Sequence, residues 1–220
     1  MRHFEHQYTN GRRDRPPPTA RGARHAGRRA RPEARQRGAI GADALLQVLA
    51  KVSPDLRGNP EQRHAVVELL LRERRDVSTT GLERGVAWAV LNFASLKTIR
   101  ALLDAGANPS GRDGPPTGGG ADGQTALHWA VGRMLNSIIK PPNKYVRKRE
   151  EAEAIIRLLV ERGADTELVT LEEVEADNGV GLPAAPPGST PRDLCLACSN
   201  AEARDAVLAV YDDAVAQRVA

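Results

Sequence analysis

Apolar residues recur along this chain at helical spacing, in short runs separated by glycine, proline and mixed charge. Leu45, Leu46, Val48 and Leu49 make one short apolar face, and Ala65 to Leu71 carry a second. Ser53-Pro54 and Gly58-Asn59-Pro60 lie between them, so the pattern predicts a helical hairpin over residues 42–52 and 61–74. The period then repeats. Val86-Ala87-Trp88-Ala89 precedes a run from Ser95 to Ala105, and Thr125 to Ala130 is continued by Met134, Leu135, Ile138 and Ile139 before a further run ends at Leu158-Leu159-Val160. A last pair opens at Thr190-Pro191-Arg192-Asp193-Leu194. An all-α chain of paired helices is expected.

Start and stop signals sharpen these boundaries. Thr125 is placed to cap a helix through its hydroxyl, and Thr190 with Pro191 and Asp193 spells a capping box with proline in the first turn. Gly106 and Gly163 stand where a left-handed residue ends the second helix of a pair, whereas Arg74 takes that place in the first pair. Lys140-Pro141-Pro142 breaks the long third-pair helix, whose extension past Met134 raises an apolar knob that needs cover. Two long connections interrupt the spacing. Residues 109–123 are glycine-rich but lack the lysine and Ser or Thr of a phosphate loop, so they read as a projecting finger. Residues 166–188 are acidic and then proline-rich, with a single helical turn expected in the acidic part.

Thr125-Ala126-Leu127-His128-Trp129-Ala130, followed by Leu158-Leu159-Val160-Glu161-Arg162-Gly163-Ala164-Asp165, resembles the ankyrin repeat, whose turn reads T-P-L-H-x-A and whose second helix closes L-L-x-x-G-A-D. The resemblance implies an ankyrin-repeat solenoid of stacked helical hairpins with long inter-repeat loops over residues 40–216. Repeats are expected at about 41–78, 79–110, 124–168 and 189–216, with 1–39 as a separate tail. It also implies that His128 hydrogen-bonds between neighbouring loops. Trp88, Trp129 and Leu194 fall on the variable motif position that looks into the concave groove of this family, and they are the candidate partner contacts. Arg112, Asp113 and Asp122 join them from the glycine-rich finger, because both fingers should flank one groove.

Composition narrows the function. Aromatic residues are only 3% of 220, which suits thin helical layers rather than a sandwich or barrel. The net charge of +4 hides an asymmetry: residues 1–39 hold eleven arginines and three acidic residues, about +8, leaving the rest near −4. Such a tail is expected to be disordered and reads first as a solvated spacer, with a nuclear address or nucleic-acid arm as the alternative and a mitochondrial transit peptide after it, since no apolar helical face accompanies the arginines. No apolar run reaches bilayer length, no secretory core opens the chain, and two cysteines are too few for a disulfide framework, so an intracellular, reducing compartment is expected. Cys195 and Cys198 lack a second pair or a nearby histidine for zinc, and read as small core residues. No nucleophile, cofactor motif or metal constellation emerges. The expected function is therefore non-catalytic: a monomeric scaffold or adaptor binding a protein partner. The alternatives are a nucleic-acid-associated factor acting through residues 1–39 and a substrate-recruiting subunit of an enzyme or ligase complex.

Overall fold

The computed structural model describes residues 44–49, 59–73, 77, 79–113, 123–139, 149–171, 173–174 and 183–219. The expectations for the tail at 1–39, for Asp122, for both finger tips and for the connection at 51–58 lie outside the described residues. Among the described residues there are eight helices and no strands: α1 (44–49), α2 (Pro60–Glu73), α3 (Thr79–Leu91), α4 (Leu96–Asp104), α5 (Ala126–Ile139), α6 (Arg149–Glu161), α7 (Pro191–Ala197) and α8 (Ala201–Val219).

Four of the helix starts have a polar side chain of the preceding residue behind them. Asn59 Oδ1 accepts from the Gln62 amide, Ser95 Oγ from Thr98, and Asn200 Oδ1 from Ala203, covering donors that α2, α4 and α8 would leave open. At α7 the expected box forms in full. Thr190 Oγ1 accepts from the Asp193 amide at 3.1 Å, and Asp193 Oδ2 accepts from the Thr190 amide at 2.9 Å. The bonds from Thr190 hold the Asp193 carboxyl below its ordinary pKa.

The ends of α4 and α6 repeat one geometry. Gly106 has φ +91° and Gly163 φ +90°, and their amides reach the carbonyls of Leu103 and Val160 while the following alanines reach Leu102 and Leu159. The next residue then closes a turn on itself, Asn108 Oδ1 with the Ser110 amide and Asp165 Oδ1 with Glu167. The same motif ends α3, but with Phe93 at φ 55° in place of glycine. A side chain there costs about 1 kcal/mol, and Arg133 lies over its ring at 5.2 Å.

Packing arranges the helices in two rows. α3 packs on α5 and α5 on α7; α2 packs on α4, α4 on α6 and α6 on α8, while α3·α4, α5·α6 and α7·α8 close the pairs. Leu45 and Leu49 of α1 sit over Gly85 of α3 and continue the first row. The center is α5, which touches four neighbours, α3, α6, α7 and α8. Leu127, Ala130, Val131, Met134 and Leu135 are fully buried there, each large side chain contributing roughly 1.5–3 kcal/mol. The knob expected beyond Met134 is covered for most of its length. Ile138 is half-buried and only Ile139 stands out, at 43% exposed.

Candidate partner-binding surface

The bases of the two fingers are set side by side by hydrogen bonds between neighbouring turns. Arg112 pairs across with Thr125 as an isolated antiparallel bridge, and the Asp113 amide donates to the Gln124 carbonyl at 3.1 Å. The second finger has the same root: the Thr170 amide donates to Ser189 O at 2.8 Å, and Val174 and Ala185 exchange amide bonds at 2.8 and 3.0 Å. The helical turn expected in the acidic part falls largely outside the described residues; at Val174 itself the chain is extended and paired with Ala185.

Between the roots runs a cross-link from the first helix row. His128 Nδ1 accepts from the Thr125 amide at 3.2 Å and meets the Thr125 hydroxyl at 2.8 Å, while Nε2 faces the Ser189 carbonyl at 3.1 Å. An acceptor at Nδ1 leaves the proton on Nε2, so the ring donates to Ser189. Burial drives the imidazole pKa from 6.5 down to about 4, against the raising effect of Ser189 and with help from the Arg112 charge, so the ring is neutral. The expected inter-loop role of His128 is thus seen. The cap differs from expectation: the Thr125 hydroxyl engages the His128 ring, and that ring covers the Thr125 amide.

The candidate contacts distribute unevenly. Trp88, Trp129 and Leu194 do sit on successive first-row helices, yet Trp129 is 2% exposed and Leu194 is fully buried. A continuous groove wall of Trp, Trp and Leu is therefore corrected to one half-buried residue, Trp88. Trp129 is held inward because its Nε1 donates to Asp113 Oδ2 at 2.7 Å, and Asp113 Oδ1 accepts from the Gln124 amide at 3.0 Å. Asp113 is itself fully buried, so it serves the base of the finger rather than a partner. Arg112 is half-buried and bridges the layers by donating to Gly123 O and to Val169 O, the latter at 2.7 Å. The neighbouring Leu171 lies over Gly123, whose φ of +73° and missing side chain make the seat, and is 62% exposed.

Several structural residues were not singled out from the sequence. Arg63 and Arg133 are 6% and 3% exposed and converge on the carboxyl end of α3, donating to Asn92 O and Val90 O, where the helix dipole favours cations. Glu151 of α6 accepts from the Leu96 amide at 3.1 Å and so caps α4 from the next pair. Gly111 passes so close to the Glu83 carbonyl that a β-carbon would overlap it. Arginines at positions of helical spacing read as solvated face, which is why they were passed over; a basic residue one turn beyond a buried stripe was the available signal.

The two thiols of the last pair are not poised for chemistry. Cys195 is fully buried, and burial pushes its thiol up to about 12, so it is a poor nucleophile; Cys198 is 5% exposed. Among the described residues no group of three His, Cys, Asp or Glu side chains is placed to hold a metal, and no helix is long and apolar enough to cross a membrane. Compared with known families, residues 122–171 match the ankyrin repeat. Neither the curated proteins nor the solved structures gave a match.

Proposed function

We propose that this chain, whose residues 122–171 match the ankyrin repeat, a generic protein–protein interaction module of generally non-catalytic proteins, works as an intracellular scaffold or adaptor that holds a protein partner against its helix stack and finger bases. The four successive helix pairs are read as four repeat units. The observation that carries the proposal is the cross-layer tie of the fingers: His128 to Ser189 and Arg112 to Val169 fix one finger root against the next. A side-by-side pair of anchored hairpins is a presentation platform, and its polar groups are spent on structure rather than aimed at a reacting atom. Affinity capture with the purified full chain, compared with Gly163→Val as a destabilised control, tests it. A discrete protein retained by the native chain and lost with the control is expected. If the native chain retains nothing beyond the control, the adaptor reading fails.

A further inference from the structure

The two finger roots are joined by side chains that cross from one to the other. Just ahead of the second finger, the Asp165 amide donates to Ser110 Oγ of the first at 2.7 Å. One guanidinium nitrogen of Arg112, Nη1, then donates both to Gly123 O, within its own root, and to Val169 O of the second. A charged donor bonds a carbonyl more strongly than a neutral one does, so this shared nitrogen is the stiffest of the ties.

Leu171 completes the joint. Gly123 has φ +73°, and a β-carbon there would lie 2.6 Å from Leu171 Cδ1 and 2.9 Å from Cγ, so the leucine fills the space that the missing side chain leaves. Its outer side is open, at 62% exposure, while its inner side rests on the other finger. Between Val169 and Leu171, Thr170 carries the pairing across the second root: its amide donates to Ser189 O at 2.8 Å and its carbonyl accepts from the Gly188 amide at 2.9 Å. Val174 passes it on to Ala185. The contacts from the first finger therefore fall on either side of the residue that closes the second.

We propose that the fingers at 109–123 and 166–188 are one coupled element, in which Arg112 and the seat of Leu171 on Gly123 transmit the opening of either root to the other. Arg112 keeps both of its bonds only while the two carbonyls stay within reach of one nitrogen. Lifting the second root removes an acceptor from the guanidinium, and turning Gly123 removes the seat from Leu171. This inference rests on the interaction-module reading and specifies its regulation: a partner that holds one root closed favours the closed pairing of the other, and the coupling is reciprocal.

Amide hydrogen exchange of the full chain, resolved by residue with NMR, tests it. The Asp113 amide reports the first root, the Val174 and Ala185 amides the second, and the Ala105 and Arg204 amides the helices. Arg112→Gln should speed exchange at Val174 and Ala185 about tenfold or more and leave Ala105 and Arg204 at the parent rate. Gly123→Ala should also speed exchange at Val174, through its clash with Leu171. Adding Leu171→Ala removes the two closest clashing atoms, so the double variant should exchange at Val174 as Leu171→Ala alone does, while Asp113 stays accelerated because the strained backbone remains in its own root. Leu171→Ala changes an exposed side chain and should keep the parent melting temperature, so the comparison survives even if one of the other variants folds poorly. Acceleration confined to Asp113, effects at Val174 that simply add in the double variant, or equal acceleration of every amide would overturn the coupling. The exchange measurement needs no partner, so its failure leaves the adaptor reading standing, and a blank affinity capture leaves the coupling standing.

Discussion

Trp129→Phe distinguishes a tryptophan of the core from one of a binding wall. The indole is 2% exposed and its Nε1 lies 2.7 Å from Asp113 Oδ2, inside a region where the carboxylate is fully buried. Phenylalanine keeps an aromatic ring in the same place, so the main loss is one hydrogen bond to a charged acceptor, about 1.5–3 kcal/mol, with about 1 kcal/mol more for the smaller ring. For a folded part of this size each kcal/mol moves the melting temperature by about 2–4 °C, which places the expected drop at roughly 5–15 °C. Circular dichroism melts of Trp129→Phe, Asp113→Asn and the double variant measure it. The two single costs should fall short of additivity in the double variant by about 1 kcal/mol or more, because the second substitution finds the bond already gone. An unchanged melt in Trp129→Phe, or two costs that simply add, would refute the claim that this bond holds the tryptophan inward.

Two further outcomes follow from the same geometry. Gly163→Val forces a branched side chain into φ +90° and should cost more than Thr190→Ala, which removes one acceptor from the capping box for about 1 kcal/mol; urea midpoints of the two variants give the order. Acidification should weaken the fold through His128: its folded pKa of about 4 lies below 6.5, so the unfolded chain binds the proton first and stability declines as pH falls from about 6.5 toward 4, by roughly 3 kcal/mol in all. Urea midpoints at pH 7 and pH 4.5 should converge in His128→Gln, and an equal pH response in that variant would remove the histidine from the account.

What the sequence made legible were features whose cause is local. Thr190, Pro191 and Asp193 announce a cap because all its partners lie within four residues, and Gly106 and Gly163 announce helix ends because only glycine tolerates that backbone without strain. The all-α class followed from helical period together with the resemblance of the stretch from Thr125 to Asp165 to an ankyrin repeat. Legibility ended where one layer meets the next. Trp129 occupies a position that faces a groove in the resembling family, but a buried Asp113, sixteen residues earlier, turns it inward. No spacing rule links the two, since the finger between them sets their approach. Arg63 and Arg133 are similar: their charge suggested solvent, yet each finds a carbonyl at the end of a helix contributed by another pair.

The closing of α5 also decides which parts of the first row keep exposed area. A first-row helix usually has one face on its own partner helix, two edges on its neighbours and one face left over. α8 packs against α5 as well, and the polar His128, Arg133 and Asn136 are buried along with the apolar residues. Its left-over face is therefore gone. Exposed area remains on α3, where Arg84, Trp88 and Leu91 are half-buried, and at the finger roots, where Leu171 stands at 62% exposure on the glycine seat of the neighbouring hairpin. These two places are unequal in physical terms. Leu171 offers apolar area without a directional group, whereas the exposed part of α3 is only what three half-buried side chains leave open. Under the proposed adaptor role, Leu171→Ser should weaken capture of a partner with little change in melting temperature, and capture equal to that of the parent chain would exclude Leu171 from the contact.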